Sequence, residues 1–384
     1  MTPLPAETRA LAACRGRILR QDVQAERDNP PFDRVCMDGV AVASGSCIAG
    51  TREFRLQATQ AAGAVPLDLA GPDAAIEVMT GAVLPRGTDC VIPLEEYDLA
   101  GTVLRLKAEA SAEPWRNVQQ RGSDSTPGVP MLTAGMQLGA AEIAVVASAG
   151  LAEVAVSRQP RIMVISTGDE LVEPGQPIAD HQVRRSNAYG VAAALQLHGF
   201  ESVADEHLRD DAAHMQQRLG ELLATHDVLV LSGGISKGKF DYVPAVLQAL
   251  GVTEVFSQVA QRPGRPMWFG VGPRGQLVFG LPGNPVSTLI CLARYVLPAL
   301  HACMLRPARP CERVALDAPL GGRKMTYFMP VTLRLEAPAL AQASARAPNG
   351  SGDFLALAGT DGFVELPARP DGYAAGFSAD FYRW

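Results

Sequence analysis

Three stretches constrain the fold of this chain more than any others: RIMVIST at 161–167, HDVLVLSGG at 226–234 and QLVFGLPGNP at 276–285. Each carries a short apolar run, and each leads into a glycine-containing loop. Helical patterns lie between and after them: NAYGVAAALQLHGF (187–200), AAHMQQRLGELLATH (212–226), YVPAVLQALG (242–251) and PVSTLICLARYVLPALHACM (285–304). Apolar strands alternating with helices over about 150 residues predict a parallel sheet covered by helices.

Ligands of such sheets bind beyond the carboxyl ends of the strands. Here those ends are Ser166-Thr167-Gly168-Asp169-Glu170, Ser232-Gly233-Gly234-Ile235-Ser236-Lys237-Gly238 and Pro282-Gly283-Asn284-Pro285. Glycine lets backbone N–H groups approach a ligand closely. Each loop leads towards a helix N-terminus, which favours negative charge. Parallel strands put all three loops on one edge, an arrangement suited to an oxyanion or phosphate. Each part also has a plainer reading. Gly233-Gly234 can simply turn the chain, Asp241 can cap the helix beginning at Tyr242, Lys237 and Lys239 can be solvated charges, and Asp169 and Glu170 surface carboxylates. The three loops together favour a phosphorylated ligand. Carboxylates beside an anion cradle then need a role: a divalent metal such as Mg²⁺ bridging them to phosphate, or acid–base work. Arg262 and Arg265 flank a Pro-Gly turn in QRPGRPMWFG (261–270), and their planar forks suit oxyanions. Arg184 and Arg185 add positive charge near the same edge. The six histidines show no ligand spacing, and nothing near Ser351, in NGSGDF, makes it a nucleophile.

The remaining chain reads differently. Residues 1–25 are polar and partly helical. From NPPFDRVCMDGVAV (29–42), which turns at Asp38-Gly39, to about 117, short strands punctuated by Gly and Pro predict an all-β domain. NVQQRGSDSTPG (117–128) is a polar loop. Residues 136–156 read as a helix, a turn at Gly150 and a strand, and short strands return after Pro307. A chain of 384 residues fits two to four domains at roughly 100–200 residues each. The net charge of −6 argues against general affinity for nucleic acid or anionic membrane. Seven cysteines, an odd number without CxxC spacing, argue against a disulfide scaffold or structural zinc. No signal-peptide core opens the chain, and its apolar runs fall short of a ~20-residue span. A cytoplasmic protein is expected, with no membrane and no nucleic-acid partner.

Seven motifs, in order, resemble those of the MoeA/gephyrin E-domain family, the molybdopterin molybdenumtransferases. NPPFDRVCMDGVAV is similar to PPFxxSxMDGYAV, VMTGAVLPRGTDCVIPLEEY to MTGAPxPxGADAVVxxE, and NVQQRGSDSTPG to NxRxxGEDxxxG. STGDEL, SGGISKGKFDY and GLPGNPVS match three signatures of the family's molybdopterin-binding domain. NGSGDFLALAGTDGFVELP resembles GSGxxxSLxxANGxxxLP. The likeness spans residues 15–384.

The resemblance implies a multidomain α/β plus β fold of elongated MoeA-like architecture. Residues 1–25 and 118–157 would form an N-terminal linker and dimerisation domain, with a β domain at 26–117 inserted in it. Residues 158–306 would form a MogA-like α/β molybdopterin-binding domain with a parallel-dominated sheet, and 307–384 a C-terminal β domain. It also implies a homodimer whose active site lies between the α/β domain of one subunit and the β domain of the other. Adenylylated molybdopterin and molybdate would be the substrates, and molybdenum would be inserted at the dithiolene with release of AMP. Asp38, Thr80, Asp124, Glu170, Asp210 and Asp241 stand where the family keeps functional polar residues, with Glu170 and Asp241 placed to hold Mg²⁺. Thr167, Gly168, Asp169, Ser186, Asn187, Ser232, Gly233, Gly234, Ser236, Lys237, Gly238, Arg262, Arg265, Pro282, Gly283, Asn284, Pro285 and Ser351 would surround the pterin phosphate and molybdate. The molybdopterin adenylyltransferase and acceptor molybdoenzymes are the partners it suggests.

The chain departs from the family pattern at identifiable points. KPGKP becomes RPGRP, so two lysines become Arg262 and Arg265. Arg185 replaces an acidic residue before Ser186-Asn187, Val40 an aromatic, and Pro330 an arginine. Leu355 and Ala356 replace serines after the GSG turn, and the N-terminus is shorter by an opening helix. A molybdopterin-binding scaffold without turnover, or an enzyme accepting tungstate, are the competing readings. Retention of Glu170, Asp210 and Asp241 favours catalysis, because a passive anion binder has little need of three carboxylates.

Overall fold

The computed structural model describes residues 3–235, 242–308, 310–334, 341–350 and 352–384. Its centre is a six-stranded sheet. The strand Ile162–Thr167 lies between Val203–Leu208 and Val228–Ser232, and Val228–Ser232 pairs in turn with Leu277–Leu281, all in parallel. Trp268–Val271 and Thr253–Phe256 extend the sheet antiparallel. Side chains alternate across this sheet as a pleated strand requires. Ile162 and Val164 face a core shared with the helix Ser186–Leu197 and the long helix from Pro285. Met163 and Ile165 face the helices Ala212–Thr225 and Val243–Ala249. Burial on both faces explains the continuous apolar runs. Asp211 caps Ala212–Thr225, accepting from the amides of Ala213 and His214. The helix at Val243 has Tyr242 at its N-cap.

The long helix runs Pro285–Cys291, a π turn at Leu292–Val296, then Leu297–Cys303. At 19 residues and mean hydropathy 1.5, it is long and apolar enough to cross a membrane by length and composition, but 61% of that stretch is buried inside the protein. It serves as a core helix. The π turn carries Arg294, which donates to Glu365 at 2.9 Å, and Tyr295, which donates to Gln261. Both contacts tie the helix to its surroundings at the C-terminal β unit. There, Thr326–Arg334, Gln342–Ala345, Glu312–Leu316, Ser378–Arg383 and Gly362–Leu366 close into a ring. Phe328 and Phe363 of this ring join the core of the central sheet.

A third unit contains the six-stranded sheet built on Gly39–Val42, Glu53–Gln60, Ala74–Val78, Cys90–Pro93, Tyr97–Ala100 and Val103–Leu106. The helix Ala140–Ser148 and strand Glu153–Ser157 follow the sequence reading, with Gly150 at φ +79° between them. The N-terminal segment does not. Instead of a helix, Ala6–Ala10 is a strand paired antiparallel with Glu153–Ser157, followed by a single 3₁₀ turn.

Candidate active site

All three sequence-predicted loops border one cleft of about 760 Å³ at the carboxyl edge of the parallel strands. Its walls include Thr167 and Glu170 from the first loop, Ser232, Gly233 and Gly234 from the second, and Pro282, Gly283, Asn284 and Pro285 from the third. Ser186 and Asn187 add the start of a helix. That helix has no side-chain cap, so its first amides remain available to an anion. Asn187 fastens the loops together, its Nδ2 donating to Ser232 Oγ at 2.9 Å and to the Gly283 carbonyl at 2.7 Å. Two buried oxygens of the cleft, Thr167 Oγ1 and Asn187 Oδ1, have no hydrogen-bond partner among the described residues. Unpaired buried oxygens are costly in a folded protein, and here they belong to residues of a ligand cleft.

Gly233 and Gly234 are required by both conformation and space. Their φ angles are +95° and +64°. A Cβ on Gly233 would meet the Thr167 carbonyl oxygen at 2.8 Å, and one on Gly234 would meet Thr167 Oγ1 at 2.8 Å. The second loop therefore lies directly against the first.

The remaining sequence candidates are distributed more widely. Asp169 and Asp210 line a neighbouring cleft of about 700 Å³ with His207 and Arg209. The Asp210 amide approaches Asp169 Oδ1 at 3.4 Å, and His207 Nε2 lies 2.8 Å from the Gly168 carbonyl. Leu171 borders both clefts, so the segment after Gly168 is the partition between them. Asp38 and Thr80 meet on the N-terminal sheet, where Gly39 pairs with Val78. Asp38 accepts from the Thr80 amide at 2.6 Å and hydroxyl at 2.7 Å, and these bonds hold its carboxyl below the usual range. Asp124 accepts from Gln119 at 2.8 Å in the linking segment. Asp38, Thr80 and Asp124 do not border the cleft of their own chain. Arg262 and Arg265 are exposed, and Pro266 beside them reaches the cleft wall. Ser236, Lys237, Gly238, Asp241 and Ser351 lie outside the described residues.

Sequence reasoning missed the apolar wall formed by Leu171, Val183, Ile235 and Phe354. Gly352 and Phe354 belong to the NGSGDF segment, so the C-terminal unit contributes to the cleft. The structure also redirects the two arginines before the helix. Arg184 donates to the carbonyls of Glu173 at 2.8 Å and Gln176 at 2.7 Å. Arg185 is ion-paired with Glu173 and Asp205. Both guanidinium groups are thus engaged by the protein itself, and among the described residues the glycine loops and the helix start offer an anion backbone donors. Among the described residues, no group of three or more His, Cys, Asp or Glu side chains is placed to hold a metal ion.

Fold and site together define an α/β binding domain for a phosphorylated or oxyanion ligand, carried in one chain with β units. Residues 1–150 match the MoeA N-terminal region (domain I and II), and residues 163–302 match a probable molybdopterin binding domain. A molybdopterin molybdenumtransferase of Synechocystis sp. is 41% identical over 96% of this chain and 93% of its own length. One from Staphylococcus aureus is 31% identical over 98% of this chain and 91% of its own. The crystal structure of a molybdopterin biosynthesis MoeA protein from Pyrococcus horikosii superimposes with a TM-score of 0.80 at 27% identity, covering 100% of this chain and 95% of that one. The chain belongs to the molybdopterin molybdenumtransferase family.

Proposed function

We propose that this protein completes molybdenum cofactor synthesis, inserting molybdenum from molybdate into adenylylated molybdopterin with release of AMP. The observation that carries the reading is the single cleft where three glycine-containing strand ends meet an uncapped helix start. Backbone donors of these loops would bind the phosphate and molybdate oxygens, with Asn187 holding the loops in register. The apolar wall at Leu171, Val183, Ile235 and Phe354 suits the flat pterin.

Mg²⁺ is the metal this chemistry implies. It needs only one or two protein carboxylates when phosphate and water supply its other ligands. Glu170, on the cleft wall, and Asp241 would hold it, and the unpartnered Thr167 Oγ1 fits an oxygen-ligand site. When bound, the metal would neutralise charge on the phosphoanhydride as AMP leaves. Asp38 and Thr80 would come from the second subunit of a homodimer, since they lie away from the cleft of their own chain. The cytoplasm, where the substrates are made, is the expected location.

The test is direct. Purified protein is mixed with adenylylated molybdopterin, molybdate and Mg²⁺, and AMP release and transfer of active cofactor to an apo-molybdoenzyme are measured. Both should depend on molybdate. Tight binding without AMP release would replace the enzyme with a scaffold, and a preference for tungstate would change the metal assigned.

A further inference from the structure

One buried arginine fastens the partition between the two clefts. Arg185 is only 5% exposed and stands at the N-cap position of the helix Ser186–Leu197. Its guanidinium donates to Glu173 in the partition, to Asp205 on the edge strand, and to Ser166 Oγ at 3.3 Å. Tyr189, one turn into the helix, donates to the other Glu173 oxygen at 3.0 Å, and the guanidinium lies 5.9 Å from its ring centroid. Backbone bonds complete the junction: Arg185 N–H to the Val172 carbonyl at 3.0 Å and Val183 N–H to the Glu170 carbonyl at 2.9 Å. Burial opposes the charge of Arg185, but its bonds to Asp205 and Glu173 more than restore it. With two carboxylates on one guanidinium, this cation is committed to the protein rather than to a substrate oxyanion.

The partition carries Glu170, whose carboxylate folds back over Gly168 and occupies the space a Cβ there would need. The same arginine immediately precedes Ser186 and Asn187, so one side chain connects the carboxylate-bearing wall, the sheet edge and the helix start. Where the family pattern carries an acid, this chain has reversed the charge and balanced it with Glu173 and Asp205.

We propose that Arg185 is a positioning residue for the reaction, holding the 170–184 segment rigid and so fixing Glu170 relative to the phosphate-binding helix start. The proposal rests on the reading of the cleft as the site of molybdenum insertion. Removing the tie lets the partition shift while the core beneath it stays packed. Turnover then falls more than substrate affinity, because the backbone donors remain.

Arg185→Ala and Arg185→Lys are compared with the wild type by thermal melting, by hydrogen exchange across 171–185, and by kcat and KM for AMP release. Arg185→Ala should lose about 10- to 100-fold in kcat, as small misplacements of reacting groups do, with a much smaller change in KM. The Val183 and Arg185 amides should exchange faster, while the Ile162–Thr167 strand keeps its protection. Millimolar guanidinium, but not equal sodium chloride, should restore part of the turnover of Arg185→Ala, and Arg185→Lys should fall between. Unchanged exchange overturns the proposal, as does faster exchange with unchanged kcat in a protein whose wild type turns over. A wild type that releases no AMP sinks the functional reading alone; loop exchange then decides whether Arg185 holds the partition.

Discussion

Gly233→Ala puts the geometry of the anion cradle to a quantitative test. Gly233 has φ +95°, and an added Cβ would sit 2.8 Å from the Thr167 carbonyl oxygen and 3.0 Å from its hydroxyl. The carbonyl is main chain at the end of a buried strand, where Thr167 still pairs with Leu208, so it cannot rotate away as a flexible side chain would. The unfavourable backbone conformation and the overlap each cost roughly 1–3 kcal/mol, about 2–6 kcal/mol together. That is a large share of a typical stability of about 5–15 kcal/mol, yet it leaves a folded population. Gly283→Ala is the internal control. Gly283 has no positive φ, and its added Cβ would meet only Gly233 Cα, at 3.8 Å. It should be neutral or gain up to about 1 kcal/mol. Urea unfolding at 25 °C measures both variants, and KM for adenylylated molybdopterin measures the cradle. Gly233→Ala should lose the stated stability and raise KM about tenfold, the equivalent of about 1.4 kcal/mol in binding. Equal stability of the two variants would refute the argument, because it would mean that the Ser232–Gly234 turn relaxes freely.

Four other outcomes follow from named contacts. Asn187→Ala removes the donor shared by Ser232 and Gly283 and should cost about 1–3 kcal/mol, read as a lower urea midpoint and weaker phosphate binding. Burial alone would raise the Asp227 pKa, but the paired bonds from Arg158 and the Arg161 amide lower it overall. Its stabilisation is therefore complete above the ordinary carboxylate range and is lost as pH falls below it, through the lower folded value; Asp227→Asn should flatten that part of the stability–pH curve. Burial pushes the Cys291 and Cys90 thiols up to about 12, so a maleimide at neutral pH should label exposed Cys36 and Cys311 first, and the buried four only after unfolding, as mass spectrometry would resolve. If the site is shared between subunits, mixing inactive Asp38→Asn and Glu170→Gln proteins should restore about a quarter of wild-type turnover through heterodimers; no restoration after subunit exchange would place both residues in one subunit's site.

The parts legible in sequence are those whose environment is uniform. Ile162–Thr167, Val228–Ser232 and Leu277–Leu281 are buried throughout, so their composition alone marks them as central strands. Val203–Leu208 carries no such mark, because an edge strand is paired on one side and half exposed, and VADEHL has no apolar run. Ala6–Ala10 was misread for a related reason: its partner lies beyond residue 150, and the exposed–intermediate alternation of AETRA is too polar to mark a strand. At the site, the glycine loops were readable because chain geometry forces loop chemistry to the ends of parallel strands. The ties between loops were not. Arg185 finds its acids 12 residues before it and 20 after it, and Asp38 finds Thr80 only because Gly39 pairs with Val78.

This division bears on function. On the proposed reading, main-chain donors form much of the cradle, so anion affinity should depend little on which side chains surround it, and the replacement of lysine by Arg262 and Arg265 should leave it intact. Carboxylate placement depends on single side-chain ties such as Arg185 to Glu173. Substitutions that separate this chain from its relatives should therefore register in kcat before they register in substrate affinity. A departure residue whose replacement raised KM while sparing kcat would show that side chains carry more of the anion binding than the cleft's geometry indicates.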